Sequence, residues 1–271
     1  MNPLVSVVIP TYMRTQCLEK ALKSVLSQTY TNLEVILVDS SPSPKSKDFF
    51  KPFLSLNLFY DHCSIRRGAP RARNTGINHA KGEYIAFLDD DDTWEPTKIE
   101  KQVKAIKNQK DVSLVVCYSH DLRFGMERIN KPPTTVSHRT IVKSFNLSST
   151  TSYFVPRHLL EKVKERDGYY FDETLPAEQE YDLAIRLTQD GTHAICVPEA
   201  LITQNSTKGQ ISENWTRKIK GKLSMYKKHH HKFKAIDHIK TVGVTFLFML
   251  GYIVGNKIYK IIIPIKEMYE T

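Results

Sequence analysis

The chain has 271 residues, 41% of them hydrophobic and 25% charged. That balance excludes a disordered polypeptide and suits one large domain, or one domain plus an appendage. Its four cysteines, Cys17, Cys63, Cys117 and Cys196, are far apart with no CxxC pair, which argues against a zinc site or a disulfide framework and for buried reduced thiols. The net charge of +10 is uneven: residues 215–271 hold 12 Lys/Arg against 3 Asp/Glu, and the rest of the chain is close to neutral.

In chain order, residues 4–9 form a short apolar run that ends at Pro10, a strand signal. Leu18, Leu22, Val25 and Leu26 follow at helical spacing. Residues 33–38 read as a second buried strand ending in Asp39, and the Ser/Pro-rich stretch 40–44 as a loop. Residues 56–60 suit a third strand, 72–80 a helix, and 84–88 a strand running into four aspartates. Pro96 fits the first turn of a helix to about residue 107, and 114–118 is another apolar strand. This alternation calls for a mostly parallel sheet with helices on both faces. Ligands of such sheets sit at the carboxyl ends of the strands, where Asp39 and Asp89 to Asp92 fall. The second half is less regular. Residues 123–137 read as a loop or hairpin, 151–155 as a strand, 157–164 as a helix, 178–190 as a helix closed by Gly191, and 194–197 and 201–203 as two short strands. From about residue 212 the pattern is basic and helical, then apolar over 242–254.

Three clusters could carry chemistry. Asp89, Asp90, Asp91 and Asp92 repel one another unless cations or backbone donors neutralise them. Their hard oxygens suit Mg²⁺ or Mn²⁺ with a diphosphate completing the shell, and a solvated acidic turn capping the next helix is the alternative. Arg71 and Arg73 at a helix start could pair with phosphate oxygens or could be a solvated basic end. Asp39 could serve turn chemistry in 40–44. Glu178, Glu180 and Asp182 offer a general base, whereas Asp182 and Arg186 read better as an i,i+4 pair at a helix start. His229 to His231, among lysines, read as a solvated face.

Taken together, the segments VSVVIPTY (5–12), SVLSQTYTNLEVILVDSS (24–41), ARNTGINHAKGEYIAFLDDDDTW (72–94) and GYYFDETLPAEQEYDLAIRL (168–187) resemble glycosyltransferase family 2, inverting enzymes of the GT-A fold, over roughly residues 4–205. The resemblance implies an α/β, Rossmann-like fold with a mostly parallel sheet flanked by helices. It implies that Pro10, Thr11 and Tyr12 line a nucleoside pocket, that Asp39 hydrogen-bonds the base, commonly uracil, and that Arg73 supports the nucleotide. Asp89 and Asp90 would lie on the donor, Asp91 would be the main Mn²⁺ or Mg²⁺ ligand of a DxD motif, and Asp92 and Trp94 would face the acceptor or its loop. Where the family carries Glu-Asp before the arginine matching Arg186, this chain has Gln179-Glu180. Glu180 takes the position of the catalytic base, and Gln179 is a departure on the acceptor side. Met13 stands where the family usually carries Asn.

The implied activity is metal-assisted transfer from a nucleotide-sugar donor, a UDP-sugar favoured, to a glycan or lipid-linked acceptor. Rival readings are a sugar nucleotidyltransferase, disfavoured because Pro10-Thr11-Tyr12-Met13-Arg14 replaces a Gly-rich phosphate loop, and a non-catalytic membrane-attached binding module. The expected organisation is a catalytic domain over 1–211 and a basic, then apolar, helical extension over 212–271. A basic patch alone would suit nucleic acid. Because this one runs into an apolar segment, the expected partner is an anionic membrane surface and not a nucleic acid. With no signal-peptide pattern at the start, the protein is expected to be cytoplasmic and peripheral on the membrane, held by residues 235–265. Residues 241–256 as a helix would be about 24 Å long, short for a span.

Overall fold

The computed structural model describes residues 2–65, 68–107, 109–122, 127–143, 147–205 and 215–230. Three parallel strands are built from the apolar runs: β1 (Val5–Thr11), β2 (Leu33–Asp39) and β3 (Asn57–His62). Helix α1 (Thr15–Leu26) links the first pair, and the single turn α2 (Lys47–Phe50) precedes β3. Helix α3 (Ala69–His79) leads to β4 (Tyr84–Phe87), parallel to β1 on its other side. The two-residue β5 (Thr93–Trp94), helix α4 (Lys98–Ile106) and the long β6 (Val112–Asp121) follow. The remaining elements are β7 (Arg128–Asn130), β8 (Thr135–Ser137), α5 (His138–Lys143), β9 (Phe154–Pro156), α6 (Arg157–Asp167), α7 (Gln179–Leu187), β10 (His193–Gln204) and α8 (Trp215–His229). The sheet order is β3-β2-β1-β4-β9-β6-β10-β5, with β7 on β6 and β8 on β10. β9 lies antiparallel between β4 and β6, so those two point the same way.

The strands are apolar on both faces because the sheet is covered on both. In β1 the period of two sends Val5, Val7 and Ile9 to one core cluster, shared with Leu18, Leu22 and Val25 of α1 and Ile99 of α4, and Val8 to the other, shared with Ile77 of α3, Leu160 of α6 and Leu183 of α7. Gly76 lets α3 lie directly on β1: a Cβ there would stand 2.4 Å from Val8 Cγ1. That approach fixes Arg73, one turn earlier on the same helix, above the strand ends.

Several boundaries differ from the sequence expectation. β1 passes through Pro10 to Thr11; its pairing with β4 ends at Val8, so Pro10 sits where only β2 flanks the strand. α3 begins three residues earlier than expected, because Gly68 (φ 75°) and Pro70 supply the start. α4 begins at Lys98, after Pro96. The stretch 151–155 is a 3₁₀ turn (Thr150–Ser152) followed by β9. The two short strands expected at 194–203 are one strand, β10, with an irregularity between Val197 and Ala200, where Pro198 interrupts the ladder. The stretch 123–137, expected as a loop or hairpin, supplies β7, which pairs antiparallel with β6, and β8, which pairs antiparallel with β10, so the two do not pair with each other; 123–126 lie outside the described residues.

Cys117 and Cys196 are buried thiols, raised to about 11 and about 12 mainly by burial, and Cys17 and Cys63 are half-buried. Residues 231–271, including the apolar run and Lys232 and Lys234 of the basic block, lie outside the described residues. Among the described residues, no helix is long and apolar enough to cross a membrane.

Candidate active site

The carboxyl ends of β1, β2 and β4 meet along one edge of the sheet, and the acidic residues of the sequence collect there. Asp39, at the end of β2, is fully buried. Its Oδ1 accepts from Ser41 N (2.9 Å), the turn chemistry that one sequence reading proposed, and its Oδ2 accepts from Tyr60 Oη (2.9 Å) and lies 3.5 Å from Lys45 Nζ. Burial, with Asp39 alongside, pushes the Tyr60 phenol up to about 12. Pro10 and Thr11 end the adjacent strand and are buried, and Tyr12 is half-buried beyond them. Met13 follows at φ 56°, a conformation in which non-glycine residues are uncommon, and its N–H donates to Ser41 Oγ (2.9 Å).

The four aspartates do not cap α4, whose N-cap is Thr97 without a side-chain bond. Each is held by side-chain partners, Arg14 being shared by Asp90 and Asp91. Arg73 Nη2 donates to Asp89 Oδ1 at 2.5 Å. Asp90 is buried, accepting from Thr11 Oγ1 (2.7 Å) and Arg14 Nη1 (3.2 Å). Burial above all, with Asp91 and Asp89 beside it, raises Asp90 to about 6, against the lowering effects of Thr11 and Arg14. Asp91 Oδ2 accepts from Arg14 Nη1 at 2.6 Å, and its backbone carbonyl accepts from Asn205 Nδ2 (2.9 Å). Asp92 Oδ2 accepts from Thr151 Oγ1 (2.6 Å), tying the strand end to the 3₁₀ turn. Trp94 is turned inward: its indole N–H donates to Thr151 O (3.1 Å), and its ring covers the buried Lys98 ammonium at 4.0 Å.

The second half of the site comes from the loop between α6 and α7. Asn74, next to Arg73 on α3, donates from Nδ2 to Phe171 O (2.9 Å) and accepts at Oδ1 from Phe171 N (2.8 Å), while the Phe171 ring lies under the Arg73 guanidinium at 5.4 Å. The loop therefore runs beside the aspartates. It delivers Glu178 in the left-handed region (φ 67°) as the N-cap of α7, then Gln179 and Glu180. Gln179 is buried, its Nε2 donating to Leu175 O at 2.6 Å. Glu180 is raised to about 7 by burial first and by Glu178 next, while its own backbone N–H and Arg73 pull it down and Asp89 pushes it up. It thus shares the electrostatic field of the Arg73–Asp89 pair.

Asp182 and Arg186 form the expected i,i+4 pair (2.8 Å), but in the interior, not on a solvated helix face. His229 is a correction to the reading of 229–231 as a solvated face: it is buried, its Nε2 2.9 Å from Asp182 Oδ1. Asp182 meets Arg186 of its own helix and His229 of a helix 47 residues further along the chain, a meeting that sequence spacing does not reveal. His230 is exposed, and His231 lies outside the described residues. Sequence reasoning also missed Arg14, Tyr60, Lys45, Asn74, Thr151 and Asn205. Arg14 and Asn74 adjoin assigned residues and were within reach; Thr151 and Asn205 reach the site only through the folding of distant chain.

A Rossmann-like sheet with an acidic cluster after β4 and a carboxylate-bearing helix beside it is the architecture of a GT-A glycosyltransferase. The family model "Glycosyl transferase family 2" matches residues 6–160, and the chain belongs to that family. It is 30% identical over 242 residues to an Escherichia coli K12 protein named as a putative colanic acid biosynthesis glycosyl transferase, WcaA, covering 86% of this chain and 83% of the relative. Among solved structures it resembles the mannosyltransferase PcManGT from Pyrobaculum calidifontis in complex with GDP-Man and Mn²⁺ (TM-score 0.66, 18% identity, 99% of this chain and 81% of that one). It also resembles S. aureus TarS, residues 1–349, in complex with UDP-GlcNAc (TM-score 0.62, 18% identity, 82% and 66%). The family assignment makes the chain a glycosyltransferase and replaces the nucleotidyltransferase and non-catalytic readings.

Proposed function

We propose that the protein is an inverting glycosyltransferase that moves a sugar from a nucleotide-sugar donor, a UDP-sugar favoured, to a hydroxyl of a glycan or lipid-linked glycan in one displacement. The observation that carries this is the placement of Glu180, a carboxylate raised to about 7, beside the Arg73–Asp89 pair at the strand ends. A carboxylate poised near neutral pH is suited to take the proton of an attacking hydroxyl. Arg73 Nε is buried with no hydrogen-bond partner among the described residues, and so is Ser40 Oγ beside Asp39. Buried donors of this kind call for a ligand, and a nucleoside diphosphate offers acceptors for both.

In this reading Pro10, Thr11, Tyr12 and Asp39 hold the nucleoside, with Tyr60 and Lys45 fixing the Asp39 carboxylate. Arg73 stabilises charge on the departing diphosphate, and Glu180 accepts the acceptor's proton. Asp92 and Trp94 hold the Thr150–Ser152 turn, and Gln179 holds the loop that presents Glu180. Asp89 and Asp91 fit a divalent ion in donor chemistry: one or two hard carboxylates plus substrate phosphates is a usual Mg²⁺ or Mn²⁺ arrangement. Such an ion, when bound, supplies positive charge to the leaving diphosphate. Arg14, now on Asp91, is the cation that has to yield there.

Arg217, Lys222 and Lys228, expected on a membrane surface, instead contact protein groups, so anionic lipid is left to the remaining basic residues and to the tail beyond 230. We place the protein on the cytoplasmic face of the membrane because those remaining basic residues run into the apolar stretch 242–254, with 1–211 as catalytic domain and 212–271 as extension. The test is a panel of UDP- and GDP-sugars with and without Mn²⁺, following nucleoside diphosphate release and the product's anomeric configuration by NMR. Release with an inverted anomer supports the proposal. Retention of configuration, or release only of pyrophosphate, overturns it.

A further inference from the structure

Helix α8, the last described element, takes no part in the proposed mechanism, yet its inward face is spent on a single stretch of chain. Arg217, Gly221, Met225, Lys228 and His229 recur at helical spacing along one side. Arg217 Nε donates to Pro176 O (2.5 Å). Gly221 lies so close to Ala177 that a Cβ would stand 2.7 Å from the alanine's own. Lys222 Nζ is 3.4 Å from Glu178 Oε1, and Met225 is buried in the core cluster that holds Leu183 of α7. Lys228 Nζ donates to Asp172 Oδ2 (2.5 Å), lies 2.7 Å from Asp182 Oδ1 and stands over the Tyr169 ring at 4.8 Å. His229 completes the set on Asp182. These contacts fall on residues 169–183, the loop and helix start that deliver Glu180.

That loop needs holding. Glu178 has a positive φ without being glycine, a backbone state that persists only when its surroundings enforce it. Asp182, one turn into α7, draws Arg186 from its own helix and Lys228 and His229 from α8, so the direction of α7's first turn depends on both. Glu180 lies between these two anchored residues.

We propose that α8 is a clamp on the base-bearing loop, with Lys222, Lys228 and His229 as positioning residues that set the direction of the Glu180 carboxylate. The inference rests on the reading of Glu180 as the base. It accounts for a basic helix whose cations turn inward, and it makes the helix part of the acceptor side of the site rather than a spacer.

The test uses the full chain and the Lys222→Met/Lys228→Met double variant, with Lys222→Met alone and Gly221→Val as variants that disturb the same contact differently. Four quantities are read: kcat and donor KM for the nucleotide sugar found active on the panel, affinity for UDP alone, and hydrogen exchange of backbone amides. The expected result is a kcat lowered at least about tenfold in the double variant, with donor KM and UDP affinity within about twofold of wild type. Exchange should quicken in 172–182 and not in β1 or β2, and a Lys222→Met/Lys228→Arg variant, which returns a cation to 228, should recover part of kcat. Lys222→Met and Gly221→Val should show the same pattern more weakly. A kcat unchanged in the double variant overturns the clamp, as does a KM rising in step or unaltered exchange in 172–182. If the wild type releases no nucleoside diphosphate from any donor, the proposed function fails, and the exchange measurement alone still decides whether α8 holds this loop.

Discussion

The protonation of Glu180 should set the pH profile of transfer. Burial and the Glu178 carboxylate raise it from the ordinary 4.5 to about 7. A general base works only when ionised, so with a midpoint near 7 about a tenth of the enzyme is competent at roughly pH 6 and about nine-tenths at roughly pH 8. At saturating donor, kcat should therefore rise about tenfold across that interval, where an ordinary surface glutamate would leave it flat. Glu178→Gln removes the second cause of the shift and should move the acid limb to lower pH. The same shift has a stability sign. Because the folded carboxyl holds its proton to higher pH than the unfolded one, stability declines as pH rises from about 4.5 to 7, and the full penalty applies above 7. At about 1.4 kcal/mol per pH unit the ceiling is about 3 kcal/mol, and partial solvent access reduces it to about 1–2 kcal/mol. Glu180→Gln should thus be roughly 10²-fold slower, yet more stable than wild type in urea at about pH 8. A flat kcat profile between these pH values, or a Glu180→Gln variant that is less stable at the upper one, would refute the assignment of a buried base at this position.

Further predictions follow from other parts of the molecule. Asp91→Ala should abolish Mn²⁺-dependent nucleotide release with the circular dichroism spectrum unchanged; near wild-type turnover that still requires metal would show that another group holds the ion. Asp182, held at about 2 by His229, Arg186 and Lys228 against the cost of burial, contributes stability that is present above the usual carboxylate range and lost as pH falls toward 2. Asp182→Asn should cost about 3–5 kcal/mol at neutral pH, since it removes the buried charge on which Arg186, Lys228 and His229 converge and leaves Arg186 with Asp167 at 3.4 Å as its remaining carboxylate, and urea titration showing under about 1 kcal/mol would count against a buried pair. Gly76→Ala should cost about 1–3 kcal/mol by forcing α3 off Val8, read as a lowered denaturation midpoint with an unchanged slope. Truncation after His230 keeps α8 docked and should reduce flotation with anionic liposomes; equal flotation of full and truncated chains would remove the tail from the membrane reading.

The sequence by itself determined the sheet and the site's location. Runs such as 5–9 and 33–38 are apolar on both faces apart from Ser6 and Glu34, which hydrogen-bond each other, a pattern suited to a sheet covered on both faces, and Asp39 and Asp89 to Asp92 follow such runs directly, so their place at the carboxyl ends was legible from chain order. Glu180 was legible through its offset from Arg186 and the motif around it. What only the tertiary structure decided is which partner neutralises which charge. Four consecutive aspartates look equivalent in sequence, yet Arg73 takes Asp89, Arg14 joins Asp90 to Asp91, and Thr151, 59 positions away, takes Asp92. His229 to His231 were read as a solvated face and the basic helix as a surface for anionic membrane, because lysine and histidine in a run usually face outward. Lys228 and His229 turn inward because Asp182 and Asp172 wait there in the fold, 46 residues or more back along the chain. Hydrophobic period is local and therefore visible in the sequence, whereas charge pairing acts through space and is settled only when the chain has brought its distant parts together.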